Sequence, residues 1–284
     1  MSMTTYPQID LSAWRQVGEG GNGAVYVQDA EPDVLLKVNT VDTSEKTIQE
    51  EFFTSKAIFD AGIPTPQMFE IVQAGEFFGV KCQNIKNKKS FSRLCADDPS
   101  SIEARAIQMA QLLKAFHAKT IEDNPWIPSI KQRMLEAAET TVLVGGKAKE
   151  KLIEFVKTIP ESNHLLHGDL QMGNLIMADD QPYWIDLGRA THGIPQFDLG
   201  HFFLFCNIFG KKGRVQEIAH LSDKQLVQFW NAFALEYNGP DHLDAFIKEC
   251  RKYAALDIIL LGMVQALSAS ERFFLGLLAK KMLK

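Results

Sequence analysis

Over the first eighty or so residues, apolar side chains recur at every second position in short runs. AVYVQ (24–28), DVLLKVN (33–39), MFEIVQAG (68–75) and FFGVKCQ (77–83) have the β-branched and aromatic content of strands, and Gly, Pro, Asn and Asp separate them. One helix interrupts them. Thr47-Ile48-Gln49-Glu50 has the form of a capping box, the helical pattern runs to Gly62, and Pro64 and Pro66 prevent continuation. The N-terminal part therefore reads as a small sheet carrying one helix.

Past about residue 90 the period lengthens. Ser100-Ser101-Ile102-Glu103 is a second capping-box pattern, and Ile102, Ala106, Met109, Leu113 and Phe116 recur at spacings of four and three, a core-facing stripe. Residues 130–140, 147–158, 223–237, 241–251 and 253–280 also carry helical patterns. LIMADDQPYWIDLG (175–188) predicts two short strands around a turn at Asp179-Asp180-Gln181-Pro182. No internal repeat or low-complexity segment is evident. The change of texture places the hinge between the two halves near Gln83 to Asn87.

Composition narrows the classes of partner. The chain has 284 residues, 46% hydrophobic and 23% charged, with a net charge of −5 and a pI near 5.8. That balance gives no electrostatic footprint for nucleic acid, and Lys86, Lys88 and Lys89 read as a solvated loop. Cys82, Cys95, Cys206 and Cys250 are scattered, with neither a disulfide framework nor zinc spacing, and fit the reducing cytoplasm. The start lacks the basic and apolar regions of a signal peptide. The most apolar stretch, LDIILLGMVQALSA (256–269), is broken by Asp257 and Gln265, so it predicts a buried helix. No membrane or nucleic-acid partner is expected.

Several short motifs carry candidate chemistry. GEGGNGAV (18–25) has the G-x-G-x-x-G-x-V spacing through Gly18, Gly20 and Gly23, but it runs into a β-like segment where a dinucleotide-binding turn would open a helix. The readings that remain are a glycine-rich hairpin over a nucleotide's phosphates and an ordinary turn. Lys37 sits among large aliphatics in VLLKV. Glu51, three residues after Ile48 and seven before Ile58, falls on the inward face of the following helix. Each charge half-buried alone is costly and the pair is tolerable, so Lys37 and Glu51 are expected to form an ion pair. HGDLQMGN (167–174) and YWIDLG (183–188) bring Asp169, Asn174 and Asp186 into play. Two carboxylates and an amide oxygen converging at a loop would call for a cation, and hard oxygen donors favour Mg²⁺. The strand FFGVKCQ ends in polar residues, which makes the backbone at Gln83 to Ile85 the candidate contact for a purine edge.

In their order along the chain, the glycine loop, Lys37, Glu51, HGDLQMGN and IDLG resemble the protein-kinase-like fold, and in particular the aminoglycoside phosphotransferase and choline kinase family. The resemblance implies an α+β, two-lobed fold: a small antiparallel β-sheet lobe with one helix over residues 1–85, and a larger, mostly helical lobe over 86–284. It implies a small-molecule kinase using ATP or GTP with Mg²⁺. Asp169 would accept or orient the proton of the acceptor hydroxyl, Asn174 and Asp186 would hold the metal, and Lys37, fixed by Glu51, would contact the α and β phosphates. His167 reads as a scaffold for the loop. Asp198 resembles the family's structural aspartate, with a plain helix N-cap as the alternative.

Gly168 stands where protein kinases have the arginine of HRD, and only RATHGIPQF separates IDLG from Asp198-Leu199-Gly200, so no room exists for a peptide-binding segment. A small hydroxyl acceptor is expected: a sugar, amino alcohol, amino acid or aminoglycoside. From Lys211 onward 11 Lys and Arg stand against 8 Asp and Glu, which speaks against a polycationic acceptor. Trp230, Tyr237 and Tyr253 read either as core or as a cage for an ammonium group. Two rival readings are a metal hydrolase built on His164, His167 and Asp169 and a nucleotide-binding scaffold of weak activity. The sequence leaves the oligomeric state open.

Overall fold

The computed structural model describes residues 5–20, 23–41, 44–122, 124–210, 214–264 and 267–283. The chain divides into two compact units, one of Met1–Lys89 with Ile176–Arg189, the other of Ser90–Leu175 with Ala190–Lys284. The sequence boundary at 85/86 assigned residues 176–189 to the larger part, whereas they pack with the smaller.

In the smaller unit, strands β1 (Arg15–Gly20), β2 (Gly23–Val27), β3 (Val34–Asn39), β4 (Met68–Ala74) and β5 (Phe77–Gln83) form an antiparallel sheet of order β1-β2-β3-β5-β4. The four strands with clear alternation are where the pattern puts them. β1 was not foreseen, because RQVGEG offers one large apolar residue among glycines and polar groups, and its ladder shifts register between Gln16 and Gly18. The sheet buries Leu36, Val38, Val72 and Ala74 with Trp14 in one cluster, and Ile71 and Val80 with Ile48 and Phe52 of helix α1 (Glu45–Asp60) in another. Lys37 lies directly across from Val80. Opposed residues share a face, so the strand period aims Lys37 toward α1.

α1 starts earlier than the Thr47–Glu50 pattern implies. Its cap is Ser44, which accepts from the Thr47 N–H. It ends in a Schellman motif, with Gly62 N–H bonded to Phe59 O at 2.9 Å and Ile63 N–H to Ile58 O at 3.3 Å.

The hairpin Leu175–Ala178 and Gln181–Trp184 closes through Asp179 and Asp180, both at positive φ (47° and 64°), a two-residue turn whose twist suits a hairpin. The turn therefore ends before Pro182, which lies in a strand at the sheet edge, where a missing N–H is harmless. Ile176, Ala178, Tyr183 and Ile185 pack around Ile85, and Trp184 N–H donates to Pro64 O. That cluster joins the hairpin to the smaller unit.

The larger unit comprises α2 (Phe91–Asp97), α3 (Ile102–His117), α4 (Ile130–Thr140), α5 (Lys147–Thr158), α6 (Gln196–Phe203), α7 (Arg214–Ala219), α8 (Asp223–Asn238), α9 (Leu243–Val264) and α10 (Ala269–Met282). α3 packs on α8 and α6 on α9. The predicted stripe Ile102, Ala106, Met109, Leu113 and Phe116 is buried. The Ser100–Glu103 capping box is absent: Asp98 caps a preceding turn by accepting from Ser100, and Ser101 makes no side-chain cap. Residues 241–251 and 253–280 are not two helices broken near 252. α9 is continuous, and the break falls at Ser268, whose reciprocal capping box with Glu271 starts α10. After α6 the chain continues as a π-helical turn, Leu204–Phe209. Among the described residues no helix is long and apolar enough to cross a membrane.

Contact between α6 and α9 depends on Gly200, where a Cβ would stand 2.7 Å from the backbone N of Ala254. Gly200→Ala is expected to destabilise the protein by roughly 1–3 kcal/mol through overpacking, measured as a lower urea midpoint with an unchanged m-value.

Candidate functional site

In the smaller unit the geometry centres on Lys37. Its Nζ lies 2.7 Å from Glu51 Oε1 and 3.1 Å from Asp186 Oδ1. The expected Lys37–Glu51 pair is thus present, with Asp186 as a second partner. Burial alone would push Lys37 down, but Glu51 and Asp186 outweigh it and hold the ammonium above its ordinary range. The Asp186 side chain is 51% exposed, and its backbone sits at φ 57°, a left-handed conformation that costs a non-glycine residue energy and recurs at functional positions.

These groups line a cavity of about 680 Å³ within this unit, together with Gly18, Gln83 and Ile85. Gly23 is not part of the lining. Gly23 has a packing reason of its own, since a Cβ there would collide with the β3 backbone at Val38. Gly21 and Asn22, inside the same motif, lie outside the described residues. The end of β5 is fixed by Gln83 N–H to Gln67 O and Asn84 N–H to Asp33 O, both at 2.8 Å. Val17, Val25, Leu35, Ile176 and Ile185 supply apolar walls. Burial pushes the Cys82 thiol in this lining up to about 11, so it stays neutral near neutral pH.

In the larger unit, HGDLQMGN is held by one carboxylate. Asp198 accepts from His167 N–H at 2.6 Å and Gly168 N–H at 2.9 Å. It lies inside the first turn of α6 and its side chain caps no helix, so the N-cap alternative gives way to a role under the loop. His117 Nε2 is 3.0 Å from Asp198 Oδ2 and its Nδ1 is 2.8 Å from the Tyr237 hydroxyl. A carboxylate cannot donate, so Nε2 is the nitrogen that carries a proton toward Asp198. Burial would raise the Asp198 carboxyl, yet His117, the neighbouring His167 and the Gly168 N–H outweigh it and hold the group below the usual carboxylate range.

Within the loop, Asp169 N–H donates to His167 Nδ1 at 3.3 Å, in keeping with His167 as scaffold. Asn174 donates through Nδ2 to Asp169 O at 2.8 Å and faces Asp169 Oδ2 at 3.4 Å. The amide nitrogen is thereby committed to Asp169, and the amide oxygen is the atom Asn174 can offer a cation.

Trp230 and Tyr253 are buried, and Tyr237 stacks between Phe233 and Phe246 in the same aromatic packing. Trp230 and Tyr253 are core, and the half-buried Tyr237 ring already has the Lys114 ammonium over it, 5.8 Å from its centroid. His117 and Tyr237 are the support residues that the sequence reading did not connect with the loop. Their separation of 120 positions left no local signal.

The model of the Phosphotransferase enzyme family matches residues 13–241. Acyl-CoA dehydrogenase family member 10 of Mus musculus is 24% identical over 251 residues, 77% of this chain; the chain spans 23% of that protein's length. A thermostable mutant of aminoglycoside phosphotransferase APH(4)-Ia superposes with a TM-score of 0.63 at 15% identity, over 95% of this chain and 92% of its own. The gentamicin complex of APH(2")-IIa gives 0.60 at 16%, over 95% and 93%. Amicoumacin kinase hAmiN, in complex with AMP-PNP, Ca²⁺ and Ami, gives 0.55 at 14%, over 98% and 90%.

The Asp198 network sets an acid limit. A carboxyl depressed by folding stabilises above its unfolded pKa of about 3.9, and that stability is lost as pH falls through the lower folded value. Asp198→Asn should therefore cost about 3–5 kcal/mol at pH 7, with a smaller deficit near pH 3, read from urea unfolding of both proteins at each pH.

Proposed function

The chain belongs to the phosphotransferase enzyme family, and on that premise we propose that it moves the γ-phosphate of ATP, or of GTP, to a hydroxyl of a small molecule in a Mg²⁺-dependent reaction. Its fold is the protein-kinase-like one that the sequence resembles, and it is a small-molecule kinase. The observation that carries the donor half is the Lys37–Glu51–Asp186 cluster on the wall of an otherwise largely apolar cavity. An apolar slot with a few charged groups at one end suits a purine with its phosphates.

Lys37, its position fixed by Glu51, contacts the α and β phosphates. The purine lies against Val25, Ile176 and Ile185 and meets the backbone at Gln83 and Ile85. Gly18 and Gly20 belong to the loop over the phosphates, with Gly23 closing the strand pair behind it. Asp186 offers a half-exposed carboxylate and Asn174 an amide oxygen, donors of the hard kind that Mg²⁺ takes. A Mg²⁺ ion held by these donors would supply charge neutralisation on the phosphates. Asp169 accepts the proton of the acceptor hydroxyl as its oxygen attacks phosphorus. Catalysis by these residues is placement and charge stabilisation.

The acceptor is a small hydroxyl compound, and a panel of sugars, amino alcohols, amino acids and aminoglycosides with Mg-ATP and Mg-GTP identifies it. Mg-ATP should slow hydrogen exchange at residues 83–85; unchanged exchange there would move the purine elsewhere. On the best acceptor of that panel, Asp169→Asn should lower kcat by roughly 10² or more with calorimetric Mg-ATP affinity nearly unchanged. Asp186→Asn should abolish transfer and weaken Mg-dependent nucleotide binding while the fold stays intact. Near-normal turnover of Asp169→Asn would remove it as the base, and an unaltered Mg²⁺ dependence in Asp186→Asn would remove it from the metal shell.

A further inference from the structure

α6 carries a second histidine–carboxylate cluster that the roles above leave unused. His201 lies three residues after Asp198. Its Nδ1 is 3.0 Å from Asp257 Oδ2 on α9, and its Nε2 is 3.5 Å from Asp169 Oδ1. Both ring nitrogens face carboxylate oxygens, which only accept, and only the imidazolium carries an N–H on each nitrogen. Burial would push His201 down, but Asp257 and Asp169 more than offset it and hold the ring well above its ordinary value. Asp257 is itself conspicuous: it interrupts the apolar run of α9 between Leu256 and Ile258, both fully buried. A carboxylate in that place without a cationic partner would be costly, and His201 is the partner it has.

We propose that His201, held by Asp257, is a positioning residue for phosphoryl transfer: its Nε2–H engages Asp169 Oδ1 and fixes the plane of the carboxylate that faces the acceptor. The proposal rests on the reading of Asp169 as the base. Asn174 faces the other oxygen of the same carboxylate, so a contact at each oxygen resists rotation of the side chain. A separation of 3.5 Å is an ion-pair distance, long for a hydrogen bond, and contacts of this kind tighten when the reacting complex forms. In the transfer itself the acceptor oxygen bonds to the γ-phosphorus, the bond to the β–γ bridging oxygen breaks, and the acceptor's proton passes to Asp169. His201 keeps both of its protons throughout.

The test uses the whole chain with His201→Ala, His201→Gln and Asp257→Asn beside Asp169→Asn, each shown by thermal unfolding to be folded. Rates are measured as phosphate release from Mg-ATP into water and as transfer to the best acceptor of the panel. His201→Ala should lower kcat roughly 10- to 100-fold, the span of a charge-assisted contact, with the Mg-ATP KM changed by no more than about twofold. Glutamine, which retains an N–H donor at similar reach, should restore part of the loss. Asp257→Asn should fall between wild type and His201→Ala.

A second arm needs no turnover. In ¹⁵N-histidine spectra at neutral pH, His201 should show two ring N–H signals, and Asp169→Asn should shift the Nε2–H signal. Unchanged kcat in His201→Ala, equal losses in the Ala and Gln variants with KM raised in step, or a single ring N–H would each overturn the proposal. A wild type without turnover on water or any acceptor would instead count against the phosphotransferase reading, and a normal rate in Asp169→Asn against the base; the spectra still decide whether the clamp exists.

Discussion

A charge taken out of water must be answered by groups that hold it, and each of the two units is organised around one such charge. In the smaller unit it is the Lys37 ammonium, on a β3 face otherwise packed against α1. The sheet tolerates it because Glu51 comes from that same helix and Asp186 from the turn after the hairpin. In the larger unit it is the Asp198 carboxylate, only 2% exposed, answered by two loop amides and His117. Removing one partner of such a set strands the other, which is far more costly than never having built the pair. This constraint ties elements far apart in sequence to fixed positions.

The same requirement shapes the HGDLQMGN loop from beneath. Its backbone N–H groups at His167 and Gly168 are occupied by Asp198, and Asp198 is oriented by His117, which Tyr237 in turn orients. α3, α6 and α8 therefore converge on one short stretch of main chain. Preorganisation of this kind is what phosphoryl transfer asks of a protein, because the reaction offers little covalent chemistry to perform.

Much of this was legible in the sequence wherever a period was at work. Alternation located β2 to β5, the helical stripe located α3, and the inward phase of Glu51 against Ile48 and Ile58 identified the partner of Lys37. The failures have specific causes. β1 carries too few apolar residues to show a period. Ser44 lay outside the pattern chosen as a cap, and the capping box at Ser268 was hidden inside a long apolar run. The return of residues 176–189 to the smaller unit depends on packing around Ile85, which no local window reports. His201 and Asp257 lie 56 positions apart; along the sequence Asp257 shows only as an interruption of hydrophobicity, although a lone carboxylate in an apolar helix is itself a request for a cation.

The discontinuity of the smaller unit has a further consequence, for synthesis. A ribosome delivers the sheet and α1 first, but the hairpin strands that cover Ile85 emerge only after α2 to α5 and the loop have been made. Until then Ile85 lacks its packing partners and Lys37 lacks Asp186, so the nascent sheet exposes apolar surface of the kind that chaperones engage. Completion of the first unit is thereby timed by production of the second, and a chain that stops short of Ile185, Asp186 and Leu187 lacks part of the lining of the Lys37 cavity whatever the quality of its N-terminal sequence.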